Sequence, residues 1–366
     1  MHITNFFKKK GFNRLGKLSS NVAKLVESST SALNQMVNQK KDKQSIEVEK
    51  KMVLNEEQIG DIIEVIKDWA TTGDNSDKCL ENNFLLVPVH FYQPIPDIKE
   101  LEKRKAWDKV SALSGIKFDD NVFLNNLKEL AKWADECRWS EDPTSDPREF
   151  YLNNRCFSYG CASALHSMIR ENKPRRIIEI GSGNSSKIIR EAVKLNEKDG
   201  FKCENYTIVD PYSLVDLDGY PNCTTVLKQP VELLNPEFFL GLKENDILFI
   251  DSSHVCKAGS DVNFEILEVL PILNKGVIIH FHDIDLPREY CKALFTTPTF
   301  RMFWTESYLL QAFLSCNKDF EIILPNAHIS RNYSDLHKEL FFHGKNVAFW
   351  GSNGFWIKKI NKTTLL

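Results

Sequence analysis

From Tyr151 onward the chain alternates short, continuously apolar runs with helical stretches, and this rhythm restricts the possible fold more than any other feature. The apolar runs cover residues 175–180, 206–210, 224–227, 246–251 and 276–282, and helical spacing fills 161–171, 187–195, 231–240 and 260–270. A strand that is apolar on successive residues has both faces covered, which is the signature of a parallel sheet sandwiched by helices. The expected fold class is therefore α/β, a doubly wound, mostly parallel sheet occupying residues 151–366. Residues 320–324 and 354–358 read as two further strands, whose direction the sequence does not give.

A chain of 366 residues exceeds the usual size of one domain, so an attachment ahead of the sheet is expected. Residues 53–150 read as mainly helical. Ile59, Ile62, Ile63, Ile66 and Trp69 fall at helical spacing, 84–92 is an extended run ended by Pro94 and Pro96, and 123–139 is amphipathic. Residues 1–52 differ in composition: eleven Lys and Arg stand against Glu27, Asp42, Glu47 and Glu49. Ile3, Phe6, Phe7, Leu15 and Leu18 can stripe a basic helix, so residues 1–20 are expected to touch an anionic membrane surface or to form a solvated tail.

The formal charge of −3 excludes a protein-wide field for nucleic acid. Nine cysteines without a CxxC pair read as reduced thiols, and no apolar stretch approaches the roughly 20 residues of a membrane span. Phe6-Phe7 runs straight into Lys8-Lys9-Lys10, so no signal-peptide core is expected and the expected location is cytoplasmic.

The sharpest local motif is Ile177-Ile178-Glu179-Ile180-Gly181-Ser182-Gly183-Asn184-Ser185-Ser186, a strand, a glycine turn and a helix start. Gly181 and Gly183 admit a ligand where a side chain would collide, and Ser185 and Ser186 can cap the helix. A dinucleotide-binding turn would carry a third glycine where Ser186 stands. Glu179, two residues before the first glycine, would repel pyrophosphate but suits a cationic amino-acid group. S-adenosylmethionine is cationic and has no phosphate. Asp210 at the end of the next strand is placed to accept ribose hydroxyls. The expected cofactor residues are Glu179, Gly181, Ser182, Gly183, Asn184, Ser185 and Asp210, with Asp251 and Ser252 from a later strand end.

Two further strand ends carry polar groups, Asp251-Ser252-Ser253-His254 and His280-Phe281-His282-Asp283. Carboxyl ends of a doubly wound sheet converge on one crevice, so Asp251, His282 and Asp283 are candidate ligands of a divalent metal. His254, three residues after Asp251, is the candidate general base, because imidazole titrates near working pH.

Residues 179–186, Phe249 to His254 and Gly276 to Ile284 resemble a bacterial family of class I methyltransferases related to catechol and macrolide-sugar O-methyltransferases. The similarity extends over 90–96, 151–154 and 304–313. It implies S-adenosylmethionine as cofactor, an antiparallel last strand and a small-molecule or glycan acceptor. In the macrolide-sugar enzymes an Asp-x-x-His segment supplies a metal ligand and the base, which maps onto Asp251 and His254. Their other ligands are an adjacent acidic pair. Here that pair is His282-Asp283, and imidazole shifts the expected ion from magnesium toward zinc or iron. Trp304, Glu306, Tyr308 and Gln311 are candidate walls of the acceptor pocket, and 331–343 is a charged insertion expected near its mouth. The expected reaction is O-methylation of a hydroxyl on a sugar, glycan or secondary metabolite. A metal-dependent hydroxylase on the same fold and a non-catalytic scaffold are the rival readings.

Overall fold

In the computed structural model, residues 54–298, 301–341, 344, 346–347 and 352–361 are described here. The basic segment 1–52 lies outside the described residues, and with it the expected membrane contact. No described helix is long and apolar enough to cross a membrane.

The chain forms two compact units, meeting at Pro96 and Asp97. In the first, α1 (Glu56–Thr72) starts on a capping box between Asn55 and Gln58 and stops at Gly73, where φ is +81°. A short helix, α2 (Ser76–Glu81), follows. Residues 84–90, expected to be extended, form neither helix nor strand.

The second unit begins at Asp97, whose side chain caps α3 (Ile98–Lys103). Residues 97–150 were expected to belong to the attachment; they lie instead in the same unit as the sheet. The reason is burial. Helix α4 (Asp120–Leu130) sinks Phe123, Leu127 and Leu130, and the Asn126 amide donates to the Ile323 carbonyl of an edge strand at 2.8 Å. The amphipathic run expected to 139 tightens after Leu130 into a 3₁₀ turn, Ala131–Glu136.

The sheet has seven strands: β1 (Arg176–Ile180), β2 (Asn205–Val209), β3 (Thr224–Leu227), β4 (Ile247–Ile250), β5 (Ile278–Phe281), β6 (Phe320–Pro325) and β7 (Phe355–Lys359). Their order is β3-β2-β1-β4-β5-β7-β6. All run parallel except β7, which pairs antiparallel with both β5 and β6. This is the Rossmann-like class I arrangement, including its reversed last strand. Every residue of β4 and β5 is buried, as expected of strands that are apolar throughout except for His280.

Helix α5 (Tyr159–Asn172) is buried along nearly its whole length and precedes β1. Helix α6 (Asn184–Lys198) follows the glycine turn. The helix expected over 231–240 is two short 3₁₀ segments, since Pro236, inside that span, lacks the N–H that a continuous helix needs. The helix expected over 260–270 is α7, which starts at Asp261–Asn263, widens into a π-turn over Phe264–Val269 and closes at Leu270–Ile272. Helices α8 (Lys292–Thr296) and α9 (Glu306–Leu314) lie between β5 and β6. The charged stretch after 331 is not a surface insertion throughout. It follows α10 (Asn326–Asn332) as α11 (Ser334–Leu340), which buries His337 against the Tyr159 hydroxyl at 3.1 Å.

Candidate active site

Two groups of residues gather at the carboxyl ends of the central strands. The first surrounds the glycine turn between β1 and α6. Gly181 adopts φ +79°, and a Cβ there would stand 2.0 Å from the Asp251 carbonyl oxygen, so only glycine lets the ends of β1 and β4 meet this closely. Two hydrogen bonds fix the turn between its neighbours: Gly181 N–H donates to Val209 at 3.0 Å, and Asp251 N–H donates to Ile180 at 2.9 Å. Gly183 is different. A Cβ on it would meet nothing within 4 Å, and it opens onto a cleft.

That cleft has a volume of about 870 Å³ and is lined by Ser182, Gly183, Asn184 and Asp210 from the expected set. Lys187, Tyr212, Leu214 and Asp216 also line it, and Asp146 and Arg148 close it from the preceding segment. Tyr212 and Leu214 are 87% and 96% exposed, leaving apolar surface for a flat ring to cover. Asp210 accepts from the Ser182 hydroxyl at 2.5 Å and from Tyr212 N–H at 2.8 Å, which holds the ends of β1 and β2 in register.

Glu179 does not reach the cleft. Its carboxylate is fully buried and accepts from the hydroxyls of Ser185 at 2.7 Å, Ser186 at 3.0 Å and Tyr206. Burial pushes its pKa up to about 7 against the pull of those three donors. The group expected to receive a cationic amine instead ties the turn to α6 and β2. Ser185 is spent on Glu179, and Ser252 likewise points away, donating to the buried Glu265 at 3.0 Å.

The second group lies at the ends of β4 and β5. Asp251, His254 and Asp283 place one donor atom each within 4.8 Å of one another. His254 Nε2 stands 3.3 Å from Asp251 Oδ1 and 3.6 Å from Asp283 Oδ2, while its Nδ1 meets Glu306 Oε2 at 2.8 Å. His254 and Asp283 both hold left-handed backbone, at φ +61° and +56°. Side-chain-bearing residues enter this region at a cost, and such strain collects at functional sites. The His254 carbonyl accepts from Thr305 and Glu306 N–H at 2.9 and 3.1 Å, which clips the start of α9 to the loop after β4 and delivers Glu306 to the imidazole.

Electrostatics here run against the expected base. Burial alone would lower the His254 pKa, but the hydrogen bonds to Asp251 and Glu306 raise it well above the ordinary value. The carboxylates on both sides of the ring thus favour the protonated form of His254. Asp251 is its complement: burial would raise its pKa, yet His282 and His254 hold it at about 2.

The expected metal set of Asp251, His282 and Asp283 is not assembled. His282 stacks on Phe157 at 4.8 Å between ring centres, its Nδ1 lies 3.3 Å from His280 Nε2, and its Nε2 comes only within 3.9 Å of Asp283. His254 takes its place in the close cluster. Of the expected acceptor walls, Trp304 does face the cluster, with its ring 4.6 Å from His254. Tyr308 turns to Glu289, and Gln311 to Ser111 at 2.8 Å. The pairing of His254 with Glu306, 52 positions later, left no sequence signal, because the contact depends on a backbone clip between distant segments.

Residues 178–284, which contain both groups, match the methyltransferase-domain family. A stretch of 174 residues, 44% of this chain, is 31% identical to 76% of an uncharacterized protein of Archaeoglobus fulgidus. The chain carries a class I methyltransferase domain and belongs to one family with the archaeal protein. S-adenosylmethionine is the cofactor of such a domain. Among solved structures, this methyltransferase is similar to the apo structure of CmcI-N160, with 16% identity, a TM-score of 0.31, and coverage of 55% of this chain and 71% of the other. It is also similar to the plantazolicin methyltransferase BpumL in complex with SAH, with 13% identity, a TM-score of 0.29, and coverage of 66% and 98%.

Proposed function

We propose that this methyltransferase transfers the methyl group of S-adenosylmethionine to a hydroxyl of a sugar, glycan or secondary metabolite. The observation that carries this reading is adjacency. The glycine turn and the Asp251–His254–Asp283 cluster share the ends of neighbouring strands, and the Asp251 carbonyl is packed directly on Gly181. The donor belongs in the cleft, with Gly183 against its backbone-facing side and Asp210 at its ribose hydroxyls. In the cleft Asp146 is ion-paired with Arg148 and Lys187 also lines the wall, leaving Asp210 and Asp216 as the carboxylates that can face a cationic ligand.

Methyl transfer is an in-line displacement: the acceptor oxygen forms a bond to the methyl carbon as the carbon–sulfur bond breaks and its electron pair stays on sulfur. The protein must align two ligands and receive one proton. Asp251 and His254 remain the catalytic pair of this proposal, in a revised division of labour. His254, held between Asp251 and Glu306, orients the acceptor hydroxyl, and the released proton passes to the His254–Glu306 pair, where burial of Glu306 favours its protonated form. Trp304 provides a flat face beside His254 for the acceptor ring.

Calorimetric titration of the full chain with S-adenosylmethionine tests the donor side. Micromolar binding is expected, and Asp210→Ala should weaken it by about tenfold or more, as loss of a charged hydrogen-bond partner predicts. Absence of binding in the unaltered protein would sink the reading.

A further inference from the structure

Two separate loops wall the cleft beside the glycine turn: Ser145 to Arg148, ahead of the sheet, and Tyr212 to Tyr220, after β2. Among the described residues no backbone hydrogen bond joins them. The Arg148 side chain does. Its guanidinium donates to both oxygens of Asp146, at 2.8 and 3.0 Å, and reaches across to the Asp218 carboxylate. The second loop is held at its far end, where Lys194 donates to the Gly219 carbonyl at 3.3 Å and the Arg190 guanidinium lies 5.6 Å from the centre of the Tyr220 ring. Tyr212 and Leu214, nearer the glycine turn, are almost fully exposed, so these side chains do not anchor it.

We propose that Arg148 and Asp218 form a gate over this cleft, closing behind S-adenosylmethionine and parting for the product, S-adenosylhomocysteine, to leave. The inference rests on the reading that the cleft takes the donor. Two properties of the pair suit a gate better than a fixed wall. The Asp218 side chain is 79% exposed, and an ion pair in solvent is weak and screened by salt. Arg148 also keeps its two-pronged contact with Asp146 when Asp218 moves away, so opening strands no guanidinium charge.

Exchange of S-adenosylhomocysteine with the full chain, followed by surface plasmon resonance, tests the gate. Asp218→Asn should speed association and dissociation together by about two- to fivefold, the range an exposed ion pair supports, and leave affinity within about twofold. Asp218→Lys, which repels Arg148, should speed both at least as much. Raising the ionic strength from about 50 mM to about 500 mM should speed exchange in the unaltered chain and barely change it in Asp218→Asn. Hydrogen exchange of the ligand-free chain gives a second readout: amides of 145–148 and 212–219 should exchange faster in Asp218→Asn, while those of the sheet keep their rates and verify the fold. Unchanged ligand rates overturn the gate, as does faster dissociation alone, which would make the pair a simple contact with the ligand. So do loop amides that exchange as in the unaltered chain. If the unaltered chain binds no S-adenosylhomocysteine, the donor reading falls, and with it the gate's cargo, while the loop amides still decide whether the pair latches the two loops.

Discussion

Glu179 shows how a residue type can be right while its function differs from the obvious one. A carboxylate just before a glycine turn invites a ligand-binding role, yet here three hydroxyls of the protein itself consume it. Its raised pKa has a thermodynamic sign. In the folded protein the carboxyl titrates at about 7, whereas an unfolded chain titrates near the ordinary value of 4.5. The stability it confers is therefore complete in acid and is lost as pH rises from that ordinary value through 7. Unfolding in denaturant, compared between the unaltered chain and Glu179→Gln from pH 5 to 8, should show the difference shifting by on the order of 2–3 kcal/mol in the variant's favour. A pH-independent difference would mean that Glu179 ionises normally in the fold. His254 tells a related story: an imidazole three residues after an aspartate reads as a base, and only the far side of the ring reveals Glu306.

At the scale of elements, the sheet was legible because its strands are defined by local composition. Ile247 to Ile250 is apolar on every position and Ile177 to Ile180 on all but Glu179, and runs this short between turn signals read as buried strands. Breaks in helices were harder to see. Pro236 divides 231–240, and the π-turn in α7 includes Glu265, whose buried carboxylate accepts from Ser252. The glycine turn was located correctly, but which of its side chains face the cleft depends on rotations that no spacing encodes. Helix α4 illustrates the remaining gap, since its amphipathic face was visible and its partner was not. Leu127 is fully buried, so Leu127→Ala should cost about 2–5 kcal/mol, read as a lowered denaturant midpoint of the sheet-containing unit. A loss below 1 kcal/mol would show that α4 is a loosely held appendage.

For the molecule as a whole, the division at Pro96 makes a claim about where the chain can be cut. A protein beginning at Asp97 should unfold cooperatively within about 3 °C of the full chain, by calorimetry or circular dichroism. One beginning at Tyr151, where the change of sequence rhythm invites a boundary, should fail to fold, because Phe123, Leu127, Leu130, Cys137 and Phe150 are all core residues. Cooperative unfolding of the shorter protein would restore the earlier boundary.

The contact between Gly181 and the Asp251 carbonyl also limits how such a protein can diversify. In the proposed reaction the donor and acceptor sides share this backbone contact as their wall. On that proposal, rebuilding the loop that begins at Asp251 for a new acceptor would also move the turn proposed to receive the donor. The segment around Trp304, which touches His254 from the opposite direction, carries no such tie to the turn among the contacts described. Changes of acceptor preference, whether by drift or by design, should accumulate there first, leaving the strand ends of β1 and β4 to vary only in concert.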